Sequence, residues 1–365
     1  MLDLRAQHGA VRSAVLAAIE RVLDSQMFIL GEEVGELECA LAGYCQVPHA
    51  VGCASGTDAL ILALRALDIG PGDEVITTPF TFFASASSIA LVGARPVFCD
   101  IRPDTFNMDP EALRETLRRH PRAKAIVPVH LFGACADMKA LLTLAQEYGA
   151  AVVEDAAQSI GAEYEARRAG SLGVIGCFSF FPTKNLGAGG DGGMLTTRDE
   201  AIAARLRSLR VHGSKQRYFH AEIGMNSRLD ALQAAILRAK LPHLDHWTAQ
   251  RQAHAARYRE LLAGTPVTLP AVAAHTTRHV YNQFTIRTPR RDELKSYLAA
   301  RGIQTETYYP RPLHLQECFR ALNYREGDFP VSEAVARDCL SLPVYPELPA
   351  EDLEAVAGAI RAFHA

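Results

Sequence analysis

The chain predicts an α/β protein: a large domain on a mostly parallel sheet, followed by a smaller α+β domain. Three observations carry this. Between residues 49 and 200, short β-rich apolar runs alternate with helical patterns, as parallel strands joined by crossover helices require. From Ser227 the apolar period becomes that of a helix, with Leu229, Leu232, Ala235, Ile236 and Ala239 at helical spacing. After a polar stretch at 273–278, strand and helix signals mix again. The boundary is set at 245/246, which gives a large domain of 1–245 and a small one of 246–365.

Taken in order, the runs at 49–53, 74–78, 96–98, 125–129 and 151–153 predict strands, with helices at 57–67, 85–92 and 138–148. Cys177-Phe178-Ser179-Phe180-Phe181 reads as a buried strand, and Gly193-Met194-Leu195-Thr196-Thr197 as a strand turning back beside it. A helix is expected at 201–210 and another from about Arg228, broken at Pro242, which has no N–H to donate. The tail reads as a strand at 281–287 and helices at 291–301, 332–340 and 350–363. In open parallel sheets, ligands bind at the carboxyl ends of the strands.

Bulk properties narrow the function. The 365 residues are enough for about two domains. A net charge of −3 gives no basic footprint for nucleic acid or an anionic membrane surface. The first ten residues carry Asp3, Arg5 and His8 and no apolar run, so no signal peptide is expected. No run reaches the roughly 18 apolar residues of a membrane helix. The eight cysteines are scattered without a C-x-x-C pair. That predicts reduced thiols in a cytoplasm, with neither a disulfide framework nor a metal site.

Two residues carry the chemistry. Lys184 lies between the buried strand pattern ending at Phe181 and the glycines at 187, 189, 190, 192 and 193. A lone loop lysine is ordinarily a solvated surface group. One held in a crevice loses hydration, its pKa falls, and its amine becomes a nucleophile and base. Asp155 closes the apolar run Val152-Val153-Glu154, where it would serve equally well as a helix cap. A lysine able to hold an aldehyde as a Schiff base, with a carboxylate able to hold a pyridinium nitrogen, meets the needs of pyridoxal phosphate. Gln158, a helical turn beyond Asp155, reaches the same face. The Gly56-Thr57-Asp58 turn opens a helix whose free N–H groups suit a phosphate, and Ser179 adds a hydroxyl. Phe82 or Phe83 is placed to stack on a ring or to pack the core. The formal G-x-G-x-x-G at Gly187, Gly189 and Gly192 is rejected as a dinucleotide site, because it runs into a strand instead of opening a helix.

Read together, Gly56-Thr57-Asp58-Ala59-Leu60, Pro79-Phe80-Thr81-Phe82-Phe83-Ala84, Glu154-Asp155-Ala156-Ala157-Gln158, Ser179-Phe180-Phe181-Pro182-Thr183-Lys184-Asn185-Leu186-Gly187, Gly224-Met225-Asn226-Ser227-Arg228 and Tyr308-Tyr309-Pro310-Arg311-Pro312-Leu313-His314 resemble the DegT/DnrJ/EryC1/StrS family. The resemblance runs nearly end to end. It implies the type I, aspartate aminotransferase-like fold of pyridoxal-phosphate-dependent transferases. It also implies transfer of an amino group from an amino acid, L-glutamate, to a nucleotide-linked keto-sugar. It places the covalent link on Lys184, the ring-nitrogen partner on Asp155 and a ring-oxygen contact on Gln158. Gly56, Thr57 and Ser179 would take the phosphate and Phe82 would stack. Asn226 would reach the phosphate from a neighbouring subunit, in a homodimer with shared sites. Thr183 departs from the family's frequent glycine. A dehydrating branch of the family has histidine at the lysine position, and Lys184 argues against that branch.

The segment 211–228 holds Lys215, Arg217, His220, Asn226 and Arg228, which suit phosphates and sugar hydroxyls. Its stretch 211–220 resembles members that act on 3-keto sugars, which favours C3 over C4. His130, Tyr309 and His314 are further candidates for substrate contact, with core packing as the plainer role. The alternatives are a sugar dehydratase or other lyase on the same scaffold, or a regulatory protein that has kept the fold without turnover.

Overall fold

The computed structural model describes residues 2–365. Its centre is a seven-stranded sheet. In chain order its strands are β1 (His49–Cys53), β2 (Glu74–Thr77), β3 (Arg95–Phe98), β4 (Ala125–Ile126), β5 (Ala151–Asp155), β6 (Ile175–Ser179) and β7 (Gly193–Thr197). They lie side by side as β1-β7-β6-β5-β4-β2-β3. β2 to β6 are parallel, with Asp155 level with Cys177. β7 is antiparallel to both neighbours: Gly193 pairs with Ser179 on one side and Cys53 on the other. Two reversals restore direction, so β1 points the same way as β6. The carboxyl ends of six strands therefore share one edge.

Both faces of the sheet are covered, which explains why its strands read as near-continuous apolar runs. Successive residues alternate between two cores. Ile76, Ile126, Val152 and Phe178 enter one, with Leu37 and Leu141 from helices. Val75, Ala125, Val127, Val153 and Ile175 enter the other, with Leu60, Leu64 and Leu206. Burying each large side chain contributes about 1.5–3 kcal/mol relative to exposure. The helices are α1 (Leu4–Ser25), α2 (Glu32–Tyr44), α3 (Gly56–Ala66), α4 (Ala84–Leu91), α5 (Pro110–Arg119), α6 (Met138–Tyr148), α7 (Glu200–Leu209), α8 (Ala231–Lys240) and α9 (Leu244–Leu261). α1 lays Ala18 and Val22 on Ala231 and Ala235 of α8. Among the described residues, no helix is long and apolar enough to cross a membrane.

A third core lies in the C-terminal part. There Phe284–Arg287 pairs antiparallel with Cys339–Leu342. Phe284, Ile286, Leu340 and Leu342 pack with Tyr258, Leu298 and Ile360 from three helices. The helix expected over 332–340 runs instead as Pro330–Asp338. Cys339 to Leu342 become a fully buried strand because Leu340 and Leu342 share a face opposite Phe284 and Ile286. The polar stretch 273–278 is not a plain linker, since Thr276–Arg278 pairs with Glu163–Tyr164. Within 211–228 a short hairpin forms, Ser214–Gln216 with Phe219–His220.

Candidate active site

A cavity of about 600 Å³ opens at the carboxyl edge of the sheet. It takes walls from the ends of β1, β5 and β6, from the segment after β2, and from 282–283 and 308–316 of the C-terminal part. Asp155, at the end of β5, is 5% exposed. Its Oδ2 accepts from Ser85 Oγ at 2.6 Å and its Oδ1 from Ala157 N–H at 3.2 Å. Its backbone is fixed by its N–H to Pro128 O at 2.9 Å and its carbonyl to His130 N–H at 3.0 Å.

Lys184 reaches the same cavity from the turn after β6. Its N–H closes on Phe181 O at 2.8 Å, and Ala188 N–H returns to Phe180 O at 2.8 Å. Gly187 lets this turn close, because a Cβ there would stand 2.3 Å from Pro182 O. Asn185 clamps the next position, with Nδ2 donating to Val280 O at 2.9 Å and Oδ1 accepting from Asn282 Nδ2 at 3.0 Å. The lysine is partly exposed as a residue, but its amine end is enclosed. Burial pushes the amine pKa down to about 8, and the Asp155 charge opposes that only in part.

On the far wall, Ser55 caps α3, its Oγ accepting from Asp58 N–H at 3.1 Å. Gly56 and Thr57 are the first residues of that helix, so their N–H groups lack helical partners. Glycine at 56 is required by close approach: a Cβ would lie 2.7 Å from Ser179 Cβ. This brings the Ser179 hydroxyl beside the helix N-terminus, a ready anion cradle. The set fits pyridoxal phosphate. An anion cradle, a buried carboxylate and a desolvated amine share one cavity, matching the phosphate, ring nitrogen and aldehyde of that cofactor. Among the described residues, no group of three or more His, Cys, Asp or Glu could hold a metal ion.

The other sequence candidates divide. Gln158 lines the cavity with both amide ends engaged: Oε1 accepts from Phe132 N–H at 2.7 Å and Nε2 donates to Tyr309 Oη at 3.0 Å. Tyr309 and Phe82 also line it, with ring centroids 6.3 Å apart, and Phe82 is 56% exposed at the mouth. His130 is not a cavity residue. It is fully buried, its Nδ1 accepts from Ala136 N–H at 3.1 Å, and its Nε2 stands 2.9 Å from Glu154 Oε2. The Ala136 bond assigns the proton to Nε2, so the ring donates to Glu154. Glu154 also takes three backbone N–H groups, from Gly170, Leu172 and Gly173. His314 likewise leaves the list. It is 2% exposed, bonds Glu333 at 3.1 Å and packs among Phe98, Tyr324 and Phe329. Lys215, His220 and Asn226 are exposed, and with Arg228 they stand outside this chain's cavity. Sequence reasoning missed Arg311, Asp191 and Gln283, which do line it. Arg311 sat inside the Tyr308–His314 motif, where the aromatic and histidine residues drew attention instead.

Fold and site together define a pyridoxal-phosphate-dependent aminotransferase of the α/β class. The chain matches the DegT/DnrJ/EryC1/StrS aminotransferase family over residues 10–361, and it belongs to that family. It is 49% identical to a Geobacillus stearothermophilus protein named "pleiotropic regulatory protein", covering 100% of this chain and 98% of that one. It is 48% identical to the UDP-N-acetyl-3-dehydro-alpha-D-glucosamine 3-aminotransferase of Acidithiobacillus ferrooxidans, covering 99% and 96%. The crystal structure of S. venezuelae DesV in complex with a ketimine intermediate superposes with a TM-score of 0.96 at 47% identity, covering 99% of this chain and 97% of that one.

Proposed function

We propose that the enzyme moves an amino group from L-glutamate to C3 of a nucleotide-linked 3-keto-sugar. The observation that carries the reading is the convergence of the Lys184 amine and the Asp155 carboxylate on one cavity with an anion cradle at its far wall. Bound there, pyridoxal phosphate supplies an aldehyde that carries the amino group and a ring that withdraws electrons from the reacting carbon. Gly56, Thr57 and Ser179 hold its phosphate, Asp155 its ring nitrogen, Gln158 its ring oxygen, and Phe82 covers its face. Lys184 is the covalent anchor. Once released, its amine takes the proton from the donor's Cα, and in the return half-reaction it delivers a proton to sugar C3. An amine poised near pH 8 suits a group that must be base and then acid.

Support for C3 comes from the segment 211–220 and from the name of the Acidithiobacillus relative. The regulatory name on another relative does not displace the reading, because both chemical groups face the cavity. Lys184 argues against the dehydrating branch, which has histidine at that position. Purified enzyme given glutamate is expected to aminate a nucleotide-linked 3-keto-hexose in preference to its 4-keto-6-deoxy isomer, with the products identified by mass spectrometry. Faster turnover of the 4-keto isomer would sink the C3 assignment. In this reading the cavity lies where the 1–245 and 246–365 parts meet, and the eight free thiols suit a reducing cytoplasm.

The reading includes a homodimer with shared sites. Asn226, Lys215 and His220 are exposed and outside their own cavity, and the same segment displays Tyr218, Phe219 and Ile223 at 80%, 67% and 83% exposure. Apolar side chains so displayed suit burial against a second chain. A two-fold axis makes the exchange reciprocal, with Asn226 of each chain on the other's cofactor phosphate. Inactive Lys184→Ala chains mixed with inactive Asn226→Asp chains should then recover activity after subunit exchange. Each heterodimer carries one site with both residues intact. No recovery from folded, dimeric variants rules out the shared site.

A further inference from the structure

The structure shows a feature of the Asp155 site that neither the motifs nor the comparisons assign. We propose that Thr81 and Ser85 form a hydroxyl relay that fixes the Asp155 carboxylate for the cofactor ring, so that both are positioning residues for amino transfer. The inference rests on the role of Asp155 given under the proposed function.

Ser85 sits in the first turn of α4 and is 0% exposed. Its Oγ lies 2.6 Å from Asp155 Oδ2, inside the range of charge-assisted O–H···O⁻ bonds. Thr81 is 2% exposed, and its Oγ1 lies 3.0 Å from Ser85 Oγ. The direction of the chain follows from the chemistry. A carboxylate only accepts, so the Ser85 proton goes to Asp155. Ser85 Oγ is then free to accept, and Thr81 donates to it. Neither hydroxyl serves its own helix: α4 begins at a Phe83 cap with no side-chain hydrogen bond. First-turn hydroxyls ordinarily satisfy such orphan groups. Here Ser85 is turned across to the Asp155 carboxylate, 70 residues along the chain, and Thr81 to Ser85.

The second carboxylate oxygen is held from a different direction, by Ala157 N–H at 3.2 Å. Two donors on two elements thus fix the plane of the carboxylate. Each of its oxygens keeps a further lone pair. Thr81 itself lines the cavity beside Phe82, so the relay starts at the cavity wall and ends on the group that faces the ring. Removing Ser85 Oγ frees Oδ2 to rotate and leaves it unpaired in a buried site, where an unmet acceptor is costly.

The test uses the enzyme and four variants: Ser85→Ala, Ser85→Thr, Thr81→Val and Asp155→Ala. Five quantities are read for each. These are the dissociation constant for pyridoxal phosphate, the absorption spectrum of the bound cofactor, the melting temperature of the cofactor-free chain, and kcat and KM for glutamate. Ser85→Ala is expected to weaken cofactor binding about tenfold and lower kcat about ten- to a hundredfold, the scale set by a hydrogen bond to a charged group. Its cofactor spectrum shifts, while the glutamate KM stays within about twofold because the lost contact is not with the donor. Ser85→Thr keeps the hydroxyl and restores most of both losses. Thr81→Val moves the same quantities in the same direction by a smaller factor.

A folded Ser85→Ala enzyme with parental cofactor affinity, spectrum and kcat overturns the relay. If Ser85→Ala does not fold, Thr81→Val decides in its place, and parental values there overturn it equally. Parental affinity and kcat in Asp155→Ala would remove the reading on which the relay rests. Loss in Asp155→Ala with no loss in Ser85→Ala removes the relay alone.

Discussion

Lys184→Ala is expected to lose essentially all turnover, by at least about 10⁴-fold, while the chain still folds and still takes up pyridoxal phosphate non-covalently. The size follows from the number of tasks proposed for the amine. General acid–base catalysis alone is worth up to about 10⁴-fold, and the covalent anchor is lost with it. Folding is spared because Lys184 makes its local contact through its backbone, N–H to Phe181 O at 2.8 Å, and that bond survives substitution. The parent enzyme should be yellow, and borohydride should fix the cofactor to a peptide containing Lys184. The variant should show neither property. The lowered pKa supplies a second check on the same residue. Burial brings the amine down to about 8 from the usual lysine value, so the neutral, reactive form predominates above that pH and is protonated below it. Labelling of Lys184 by an amine-directed reagent in the cofactor-free chain should therefore rise with pH around a midpoint near 8. A midpoint at the ordinary lysine value would show that the amine is solvated, and normal turnover by Lys184→Ala would refute the assignment outright.

Asp155→Asn is expected to lower kcat by about a hundred- to a thousandfold, with each ~1.4 kcal/mol of lost stabilisation costing a factor of ten. In the role proposed for it, the carboxylate would keep the cofactor ring nitrogen protonated, which an amide could not do. The effect on stability should be far smaller. The hydrogen-bond partners of Asp155 are a hydroxyl and a backbone amide, and its charge offsets the burial of the Lys184 amine only in part, so little pairing is lost when the charge goes. The measurement is steady-state kcat beside a melting curve. Wild-type kcat in a folded Asp155→Asn enzyme would reduce Asp155 to a cap of the turn that follows β5.

What could be read from the sequence followed the strength of each local pattern. The strands of the sheet were visible because burial on both faces makes them apolar throughout, and their carboxyl ends pointed to Asp155, Ser179 and the Gly56 turn. Lys184 stood out because a cation between a buried run and a glycine cluster has few structural uses. His130 and His314 misled because a histidine satisfied by a buried glutamate looks, in one sequence, like one aimed at a ligand. Their partners, Glu154 and Glu333, lie 24 and 19 residues away, and only the fold brings them together. Ser85 gave no signal, since a serine among the small residues of α4 is chemically unremarked until α4 is docked against β5. Cys339 and Leu340 read as the end of a helix, although they open the strand Cys339–Leu342, because four apolar or small residues have no period of their own.

The placement of β7 also bears on the order of assembly. β1 has no partner in the sheet except β7, and β7 separates it from β6. Within the sheet, β1 and β6 are thus joined through a strand that comes later in the chain than either, while Gly56 also meets Ser179 of β6 directly. Closing a loop from His49 to Thr197 is a long-range event, with an entropic cost that short-range contacts do not carry. A chain emerging from the ribosome can align its parallel strands before β7 joins β1 to the sheet. The cavity also takes walls from 282–283 and 308–316, so a complete cofactor site needs the C-terminal part as well as the closed sheet.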